Sequence, residues 1–273
     1  MIYNNLLYIY NMQIGIIGYG IVGKAIAAFY QDKISISIYD KFMPEYSSYD
    51  ELLKSDIIFV SVPTPNVDGG IDISAIEEVI EILHLCRYTG CILIKSTLIP
   101  GILSSFITKY NTLTFCYNPE FLSAKTNIED YANQKHIILG IENKYWADYL
   151  HAHYTSMFPT ATISICKIIE AESVKIFCNV FYAVKIQTFT EFYLACRYNG
   201  ADFNVVRDLM LKNSWINPMH TNVPNNGQIS FSGACFPKDI ASLNTYLLEN
   251  NLCNDVISAA MTESIKHNNH FPE

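Results

Sequence analysis

The segment of residues 14–23, Ile-Gly-Ile-Ile-Gly-Tyr-Gly-Ile-Val-Gly, carries glycines in the pattern G-x-G-x-x-G. It follows a run of strand character and precedes a run with an apolar helical face. In this context Gly18 can form the tight turn, Gly20 lets the backbone approach a pyrophosphate, and Gly23 allows close packing of helix on strand. The helix N-terminus adds N–H groups and a partial positive charge. The stretch therefore predicts a strand–turn–helix unit that binds the phosphates of a dinucleotide.

An acidic residue completes this pattern. Asp40 ends the second predicted strand, 22 residues after Gly18, and a carboxylate at that position can accept hydrogen bonds from the adenosine ribose. The same carboxylate would repel a 2′-phosphate, so we expect NAD to be preferred to NADP. The alternative is a glycine-rich turn without a ligand, which the combination of strand, spacing and acid disfavours. The residues predicted to contact NAD here are Gly18, Tyr19, Gly20, Ile21, Val22, Gly23 and Asp40.

Short apolar runs alternate with amphipathic segments through the first half of the chain. Strands are predicted at residues 13–17, 35–39, 57–62, 91–95, 112–117 and 136–141, and helices at 21–30, 74–87, 102–110 and 144–156. Strands that alternate with helices indicate right-handed βαβ units and a parallel sheet covered on both faces. The fold class expected for residues 12–165 is therefore α/β, a Rossmann-type, doubly wound parallel sheet that binds NAD.

The second half has a different pattern. Residues 167–199 contain neither proline nor glycine and stop before Gly200, which predicts one long helix. Further helices are expected at 203–212, 239–250 and 255–267, with a polar loop at 213–233. We therefore expect a smaller all-helical domain at residues 166–273, built on the long helix, and an appended tail at residues 1–11 that is not a signal peptide.

The composition excludes several classes of protein. Half of the 273 residues are hydrophobic, 16% are charged, and the net charge is −8. This acidic balance argues against nucleic acid or an anionic membrane as partner, and the sequence has no clean apolar run of about 20 residues. The eight cysteines include no C-x-x-C pair, which is typical of reduced thiols in a cytoplasmic protein. No metal site is predicted, because His151 and His153 diverge at helical spacing.

The run of residues 233–239, Gly-Ala-Cys-Phe-Pro-Lys-Asp, is the best candidate for a reactive site. Cys235 follows a glycine-containing loop and precedes a predicted helix N-terminus, with Lys238 and Asp239 close in sequence. Positive potential at such a position favours the thiolate, which is the nucleophilic form. The other seven cysteines are expected to be buried packing residues. Pro237 and Asp239 could also be ordinary residues of a helix start.

Two polar residues on the long helix fit the same chemistry. Lys175 and Asn179 are one turn apart among apolar neighbours, so they share a face that we expect to be partly buried. A buried lysine needs a partner or a task, and a cation with an amide would stabilise an oxyanion. The alternative is a lysine that reaches solvent beside a capped asparagine. Thr97 and Glu120 each follow a predicted strand, at the sheet edge where ligands bind, and Glu120 could act there as a base.

Together these runs resemble the nucleotide-sugar 6-dehydrogenases of the UDP-glucose/GDP-mannose dehydrogenase family, and the form CFPKD is most similar to the UDP-glucose branch. The matching segments stand in the family's order between residues 12 and 267. They are IGIIGYGIVG (14–23), SVPTP (61–65), KSTLIPG (95–101), NPEFL (118–122), AESVKIFCN (171–179) and GACFPKD (233–239).

The resemblance implies a four-electron oxidation of a sugar C6 alcohol, UDP-glucose to UDP-glucuronate, with two NAD used in turn. It implies that Cys235 is the nucleophile and forms a thiohemiacetal and then a thioester. The other implied catalytic residues are Lys175 and Asn179 for the oxyanion, Thr97 and Asp239 for a water or proton relay, and Glu120 for proton transfer and thioester hydrolysis. Further NAD contacts are implied at Pro63, Thr64 and Thr97. Substrate contacts are implied at Glu120, Phe121, Leu122, Lys175, Asn179, Phe231 and Gly233.

The sequence departs from the family pattern at several points. Ala124 stands where the family usually has an acidic residue, and Ser230 and Ser232 stand where glycines are usual. We expect a minimal enzyme without the family's C-terminal nucleotide-sugar-binding domain. Two alternatives stay open: a dehydrogenase for GDP-mannose or a UDP-N-acetylhexosamine, and a non-catalytic, truncated NAD-binding relative. The family also implies a homodimer through the long helix.

Overall fold

The computed structural model describes residues 12–225 and 227–270, so the predicted tail at residues 1–11 lies outside the described part. The chain divides into two compact units. Of the described residues, the first unit contains those up to Pro65 together with Asp72–Lys175, and the second contains Asn66–Ile71 and those from Ile176 onward.

Nine strands are present in the described residues, seven of them in one sheet of the first unit. The sheet order is β2-β1-β3-β6-β7-β8-β9, and β4 pairs with β5 in a separate hairpin of the second unit. The strands are β1 Gln13–Ile17, β2 Ser35–Tyr39, β3 Ile57–Val60, β4 Asn66–Val67, β5 Gly70–Ile71, β6 Cys91–Ile94, β7 Thr114–Tyr117, β8 His136–Gly140 and β9 Thr162–Cys166.

The helices of the first unit cover both faces of the sheet, as the doubly wound class requires. They are α1 Ile21–Tyr30, α2 Ser74–Leu85, α3 Ile102–Lys109, α4 Asn127–Ala132 and α5 Lys144–Met157. Side chains alternate along each strand, so Ile57 and Phe59 enter a core with α1 and α5, while Ile58 and Val60 enter a second core with α2 and α3. The α/β prediction is confirmed by this arrangement.

The sheet is mostly parallel, and one pair departs from the prediction. β8 runs antiparallel to β7, with Tyr117 opposite Gly140. A parallel neighbour needs a crossover that carries the chain back along the sheet. The helix between these strands, α4, has six residues and is about 9 Å long, which is too short for that return. The prediction of a parallel sheet is therefore confirmed for the other strand pairs of this sheet and does not hold for β7 and β8.

The second unit is helical apart from its hairpin. It contains most of α6 Ile168–Asn199, then α7 Phe203–Leu211, α8 Phe236–Glu249 and α9 Asp255–His270. The 32-residue α6 begins in the first unit and continues into the second. α8 begins three residues earlier than predicted, because Cys235 occupies the N-cap and Pro237 fits the first turn, where its missing N–H costs nothing.

Within the described residues, every helix is either too short or too polar to span a lipid bilayer.

Candidate active site

The glycine turn between β1 and α1 has the geometry of a phosphate cradle. Gly18 has φ +90°, and a Cβ there would lie 2.7 Å from the carbonyl oxygen of Ser61. A Cβ on Gly23 would lie 2.0 Å from the carbonyl oxygen of Gly18. Gly20 faces open space, with no atom within 4 Å of an added Cβ. Two glycines therefore serve packing, and the third leaves room for a ligand to approach the backbone.

This turn lies where the strand order reverses, since β1 has β2 on one side and β3 on the other. Such a reversal opens the crevice in which doubly wound sheets bind ligands. Gly20 is the N-cap of α1 and contributes no side-chain hydrogen bond, so the first-turn N–H groups can meet an anion. These features fit the diphosphate of NAD.

Asp40 is oriented by the turn itself. Its Oδ2 accepts the backbone N–H of Tyr19 at 2.7 Å, and its Oδ1 accepts the N–H of Phe42 at 2.9 Å. The neighbouring Lys41 forms an exposed ion pair with Glu78 at 2.8 Å. The carboxylate at the end of β2 is therefore fixed beside the glycine turn, while the adjacent cation is bound elsewhere.

The loop after β7 carries Glu120, which pairs with Lys175. The Lys175 Nζ lies 3.1 Å from the Glu120 Oε1 and also donates to the Glu120 main-chain carbonyl. Lys175 is 4% exposed, so it does not reach solvent as the alternative supposed. The Glu120 Oε2 accepts the N–H of Leu122 at 2.8 Å, and the Phe121 ring lies 5.2 Å from the ammonium. The pair thus joins a buried lysine to a glutamate whose side chain is 16% exposed.

The base of this loop is fixed by Asn118. Its N–H donates to Ile94 at 2.9 Å, its Nδ2 donates to the carbonyl of Ile138 at 2.8 Å, and its Oδ1 accepts the Tyr154 hydroxyl at 2.7 Å. Asn118 is thus bonded to β6, β8 and α5 at once. Such complete hydrogen bonding of a buried amide rigidifies the turn that precedes Glu120.

A second buried lysine, Lys95, was given no role from the sequence. It directly follows β6 and is 3% exposed, with its Nζ 5.6 Å from the centroid of the Tyr131 ring. Burial lowers the pKa of Lys95 to about 8, against the opposing effect of the Glu120 carboxylate. Its position after a strand was visible in the sequence, but its burial depends on packing by α4, which was not predicted. Two residues later Thr97 is half-buried.

In the second unit, Asn179 binds Asp239. The Asn179 Nδ2 donates to the Asp239 Oδ2 at 2.6 Å, and the Lys238 Nζ lies 2.6 Å from the Oδ1. Asp239 is 1% exposed. The charge of Lys238 is therefore paired with this carboxylate. Asp239 is more than a residue of a helix start, because α6 and α8 are joined through it.

Cys235 is an exposed thiol at the N-cap of α8. In the loop before it, Gly233 has φ +82° with open space around its missing Cβ, and Phe231 is buried. Of the other seven cysteines, which were expected to be buried, Cys91 and Cys116 are buried, and Cys166, Cys178 and Cys196 are half-buried. The expectation was wrong for Cys86 and Cys253, which are exposed because they lie at the ends of helices or in the turns beyond them.

The remaining positions singled out in the sequence are Pro63, Thr64 and the histidine pair. Thr64 is buried and Pro63 is exposed in the segment after β3. His153 is buried and bonds the Tyr30 hydroxyl at 2.8 Å, so it is a packing residue of the first unit. Among the residues that the structure describes, no group of three or more His, Cys, Asp or Glu side chains could hold a metal ion.

Comparison with known proteins gives two domain matches. Residues 39–158 match the NAD binding domain of the UDP-glucose/GDP-mannose dehydrogenase family, and residues 169–266 match its central domain. The UDP-glucose 6-dehydrogenase of Rickettsia bellii is 32% identical over 234 residues, which cover 83% of this chain and 52% of the relative. The chain therefore spans about half the length of that relative.

Solved structures share the fold. A UDP-glucose dehydrogenase from Pyrobaculum islandicum superposes with a TM-score of 0.83 at 22% identity, covering 94% of this chain and 68% of the other. A UDP-D-ManNAc dehydrogenase from Pyrococcus horikoshii superposes with a TM-score of 0.79 at 19% identity, covering 94% and 69%.

Proposed function

Because this chain belongs to the UDP-glucose/GDP-mannose dehydrogenase family, we propose that it oxidises the C6 alcohol of UDP-glucose to the carboxylate of UDP-glucuronate, with NAD as oxidant. The observation that carries the proposal is the exposed Cys235 thiol at the start of α8, whose first-turn Asp239 is bound by Asn179. A thiol in this position suits a covalent aldehyde intermediate.

Bound NAD would accept one hydride from C6 in each of two successive oxidations. The chain would hold the dinucleotide: the N–H groups at the start of α1 would bind the diphosphate, and Asp40 would accept hydrogen bonds from the adenosine ribose. The open side of Gly20 supports this assignment. Thr97 and the segment with Pro63 and Thr64 follow strands of the same sheet and would border the cofactor.

The proposed role of Cys235 begins after the first oxidation. Its thiolate adds to the aldehyde carbon, forming a C–S bond and moving the carbonyl electron pair to oxygen, where a proton balances the charge. Loss of hydride and of that proton from the thiohemiacetal gives the thioester. Water then adds, the C–S bond breaks, and the acid and the thiol are released.

The other candidates would serve these steps. Lys175 and Asn179 would stabilise the oxygen that becomes negative, as preorganised donors do in water-poor sites. Glu120 would receive and return protons and activate the hydrolytic water, and Asp239 with Thr97 would hold that water. Support comes from their burial and pairing, since Lys175 and Asp239 are each almost fully enclosed. Phe121, Leu122, Phe231 and Gly233 would border the sugar nucleotide.

We further propose that residues 12–165 form the NAD-binding domain and residues 166–273 the helical domain that carries the catalytic loop. A homodimer through α6 would follow from its exposed aromatic side chains, with Phe177 51% and Phe181 62% exposed.

The deciding experiment measures NADH formed by the purified chain with UDP-glucose, GDP-mannose and UDP-N-acetylhexosamines, together with the uronate product. Two NADH per uronate from UDP-glucose supports the proposal. Turnover with another sugar nucleotide alone would reassign the substrate. NAD binding without turnover on any of them would favour the non-catalytic alternative.

A further inference from the structure

The first turns of α6 carry a buried carboxylate that the proposed reaction does not use. Glu172 belongs to the segment AESVKIFCN, and it is 0% exposed. Its Oε2 accepts the backbone N–H of Gly101 at 2.7 Å, and its Oε1 accepts the N–H of Leu103 at 2.9 Å. Both oxygens are therefore bonded to the start of α3, a helix that is distant from Glu172 in sequence.

The two hydrogen bonds of the Glu172 carboxylate are charge-assisted bonds to the N-terminus of a helix. Gly101 is the N-cap of α3, with φ +99°, and Leu103 lies in the first turn. First-turn N–H groups have no partner within their own helix, and a carboxylate there also meets the positive end of the helix dipole. Burial raises the pKa of Glu172, while the two N–H groups oppose that rise. Glu172 of α6 therefore caps the N-terminus of α3 with two charge-assisted hydrogen bonds.

The segment that Glu172 holds at one end is also held at the other. The Ser96 hydroxyl donates to the carbonyl of Val62 at 2.6 Å, and the N–H of Leu98 donates to the Tyr117 hydroxyl at 3.4 Å. Between these two buried residues Thr97 is half-buried. Residues 95–101 thus form a short segment fixed at both ends, with its one predicted catalytic side chain in the middle.

We propose that Glu172 is a positioning residue for Thr97, and this inference rests on the proposed function. Glu172 fixes the start of α3 and so the segment that presents the Thr97 hydroxyl. Lys175, one turn later on α6, binds Glu120. The first turns of α6 therefore hold the loops that follow β6 and β7 in a common register, so that both side chains keep their geometry through the reaction.

The kinetic test compares Glu172→Gln with Glu170→Gln. The first variant places an amide NH₂ against a backbone N–H and so breaks one of the two bonds. The second makes the same change at the exposed Glu170, which accepts the Lys167 N–H through one oxygen only, so that an amide can keep this bond; it serves as the matched control. We expect Glu172→Gln to lower kcat by about 10- to 100-fold, since a displacement of about 1 Å can cost 100-fold, with KM for NAD changed less than about twofold. Glu170→Gln should match the wild type.

A double-mutant cycle separates positioning from general stability. If Glu172 acts through Thr97, the loss caused by Glu172→Gln should shrink to less than about twofold when Thr97 is already alanine. An equal loss in both backgrounds, or an unchanged kcat in Glu172→Gln, would overturn the inference.

Amide hydrogen exchange tests the anchor in the wild-type chain, without need of activity or of a folded variant. The N–H groups of Gly101 and Leu103 should exchange much more slowly than those of Val22 and Gly23 in the first turn of α1, which has no side-chain cap. Equal exchange at the two helix starts would contradict the proposal. If the chain oxidises no sugar nucleotide, the proposed function fails, and exchange alone decides whether Glu172 fixes this segment.

Discussion

Lys175 is bound to Glu120 twice, through the carboxylate at 3.1 Å and through the main-chain carbonyl. A lysine that bonds both parts of one residue fixes the backbone of the loop as well as the side chain. The pair is almost enclosed, so removal of either partner leaves a charge in a poorly solvated place.

Replacing Lys175 with methionine should therefore damage stability and turnover together. We expect a loss of about 3 kcal/mol in the free energy of unfolding and at least about a 100-fold loss in kcat. The control is Lys144→Met, which breaks the exposed pair with Asp148 and should cost less than about 1 kcal/mol. Adding Glu120→Gln to Lys175→Met should restore part of the stability but no activity. Wild-type turnover in Lys175→Met would refute the role given to the lysine.

In the proposed mechanism, the covalent step depends on Cys235. Replacing it with alanine should abolish formation of the acid, because no nucleophile remains to hold the aldehyde. Cys235→Ser should trap an ester that mass spectrometry detects on the peptide with residue 235. Cys253→Ser changes another exposed thiol of the same unit and should leave kcat unchanged. Near-normal acid formation by Cys235→Ala would exclude the thioester mechanism.

Cofactor choice should follow Asp40. Its carboxylate is fixed beside the glycine turn, and Lys41, the nearest cation in sequence, is paired with Glu78. We expect kcat/KM for NAD to exceed that for NADP by at least about 100-fold, which corresponds to about 2.7 kcal/mol. Asp40→Ser should reduce this ratio, while Asp50→Asn, a change of an exposed aspartate, should not. Comparable kcat/KM values for both cofactors in the wild type would show that the assignment is wrong.

Stability should fall in acid because of His153. Burial lowers the pKa of His153 to about 4, from 6.5 in the unfolded chain. Between these values the unfolded state binds the proton more readily, so the free energy of unfolding decreases as the pH falls from 6.5 to 4. This group alone accounts for about 3 kcal/mol of that decrease.

The measurement is urea unfolding between pH 7 and pH 4. His153→Gln removes the titrating ring and should flatten the pH dependence, whereas His151→Gln, at an exposed position on the same helix, should leave the slope as it is. An unchanged slope in His153→Gln would mean that other groups control the acid sensitivity.

The elements that local pattern determines were predicted well. β1, β2 and α1 have the predicted bounds, because glycines and apolar periodicity mark their ends. The direction of β8 was not predictable in this way. The direction depends on the path of the chain through the short α4. The amino-acid composition of a strand does not reveal whether the strand runs parallel or antiparallel to its neighbour.

The candidate site was visible in the sequence as residue types, but its pairings were not. Asn179 and Asp239 are 60 residues apart, and Lys175 and Glu120 are 55 apart. The sequence showed which polar residues were expensive to bury, and the fold determines which partner satisfies each one. The partners of Glu172 could not be predicted either. They are two backbone N–H groups, and every residue except proline has such a group, so the sequence does not indicate which ones donate to the carboxylate.

The exposed face of α6 should make the chain a homodimer. Phe177 and Phe181 are one turn apart on α6 and together form an exposed aromatic face, while Phe189 further along the helix is buried. An exposed apolar face on a long helix is typical of a protein–protein interface. We expect sedimentation equilibrium at micromolar concentration to give twice the chain mass of 31.0 kDa.

Phe181→Glu should shift the equilibrium to monomer, since an unpaired charge would have to be buried. Val256→Glu introduces the same charge at an exposed apolar position on α9 and should leave the dimer intact. An active wild-type chain that sediments as one 31.0 kDa species would contradict the dimer.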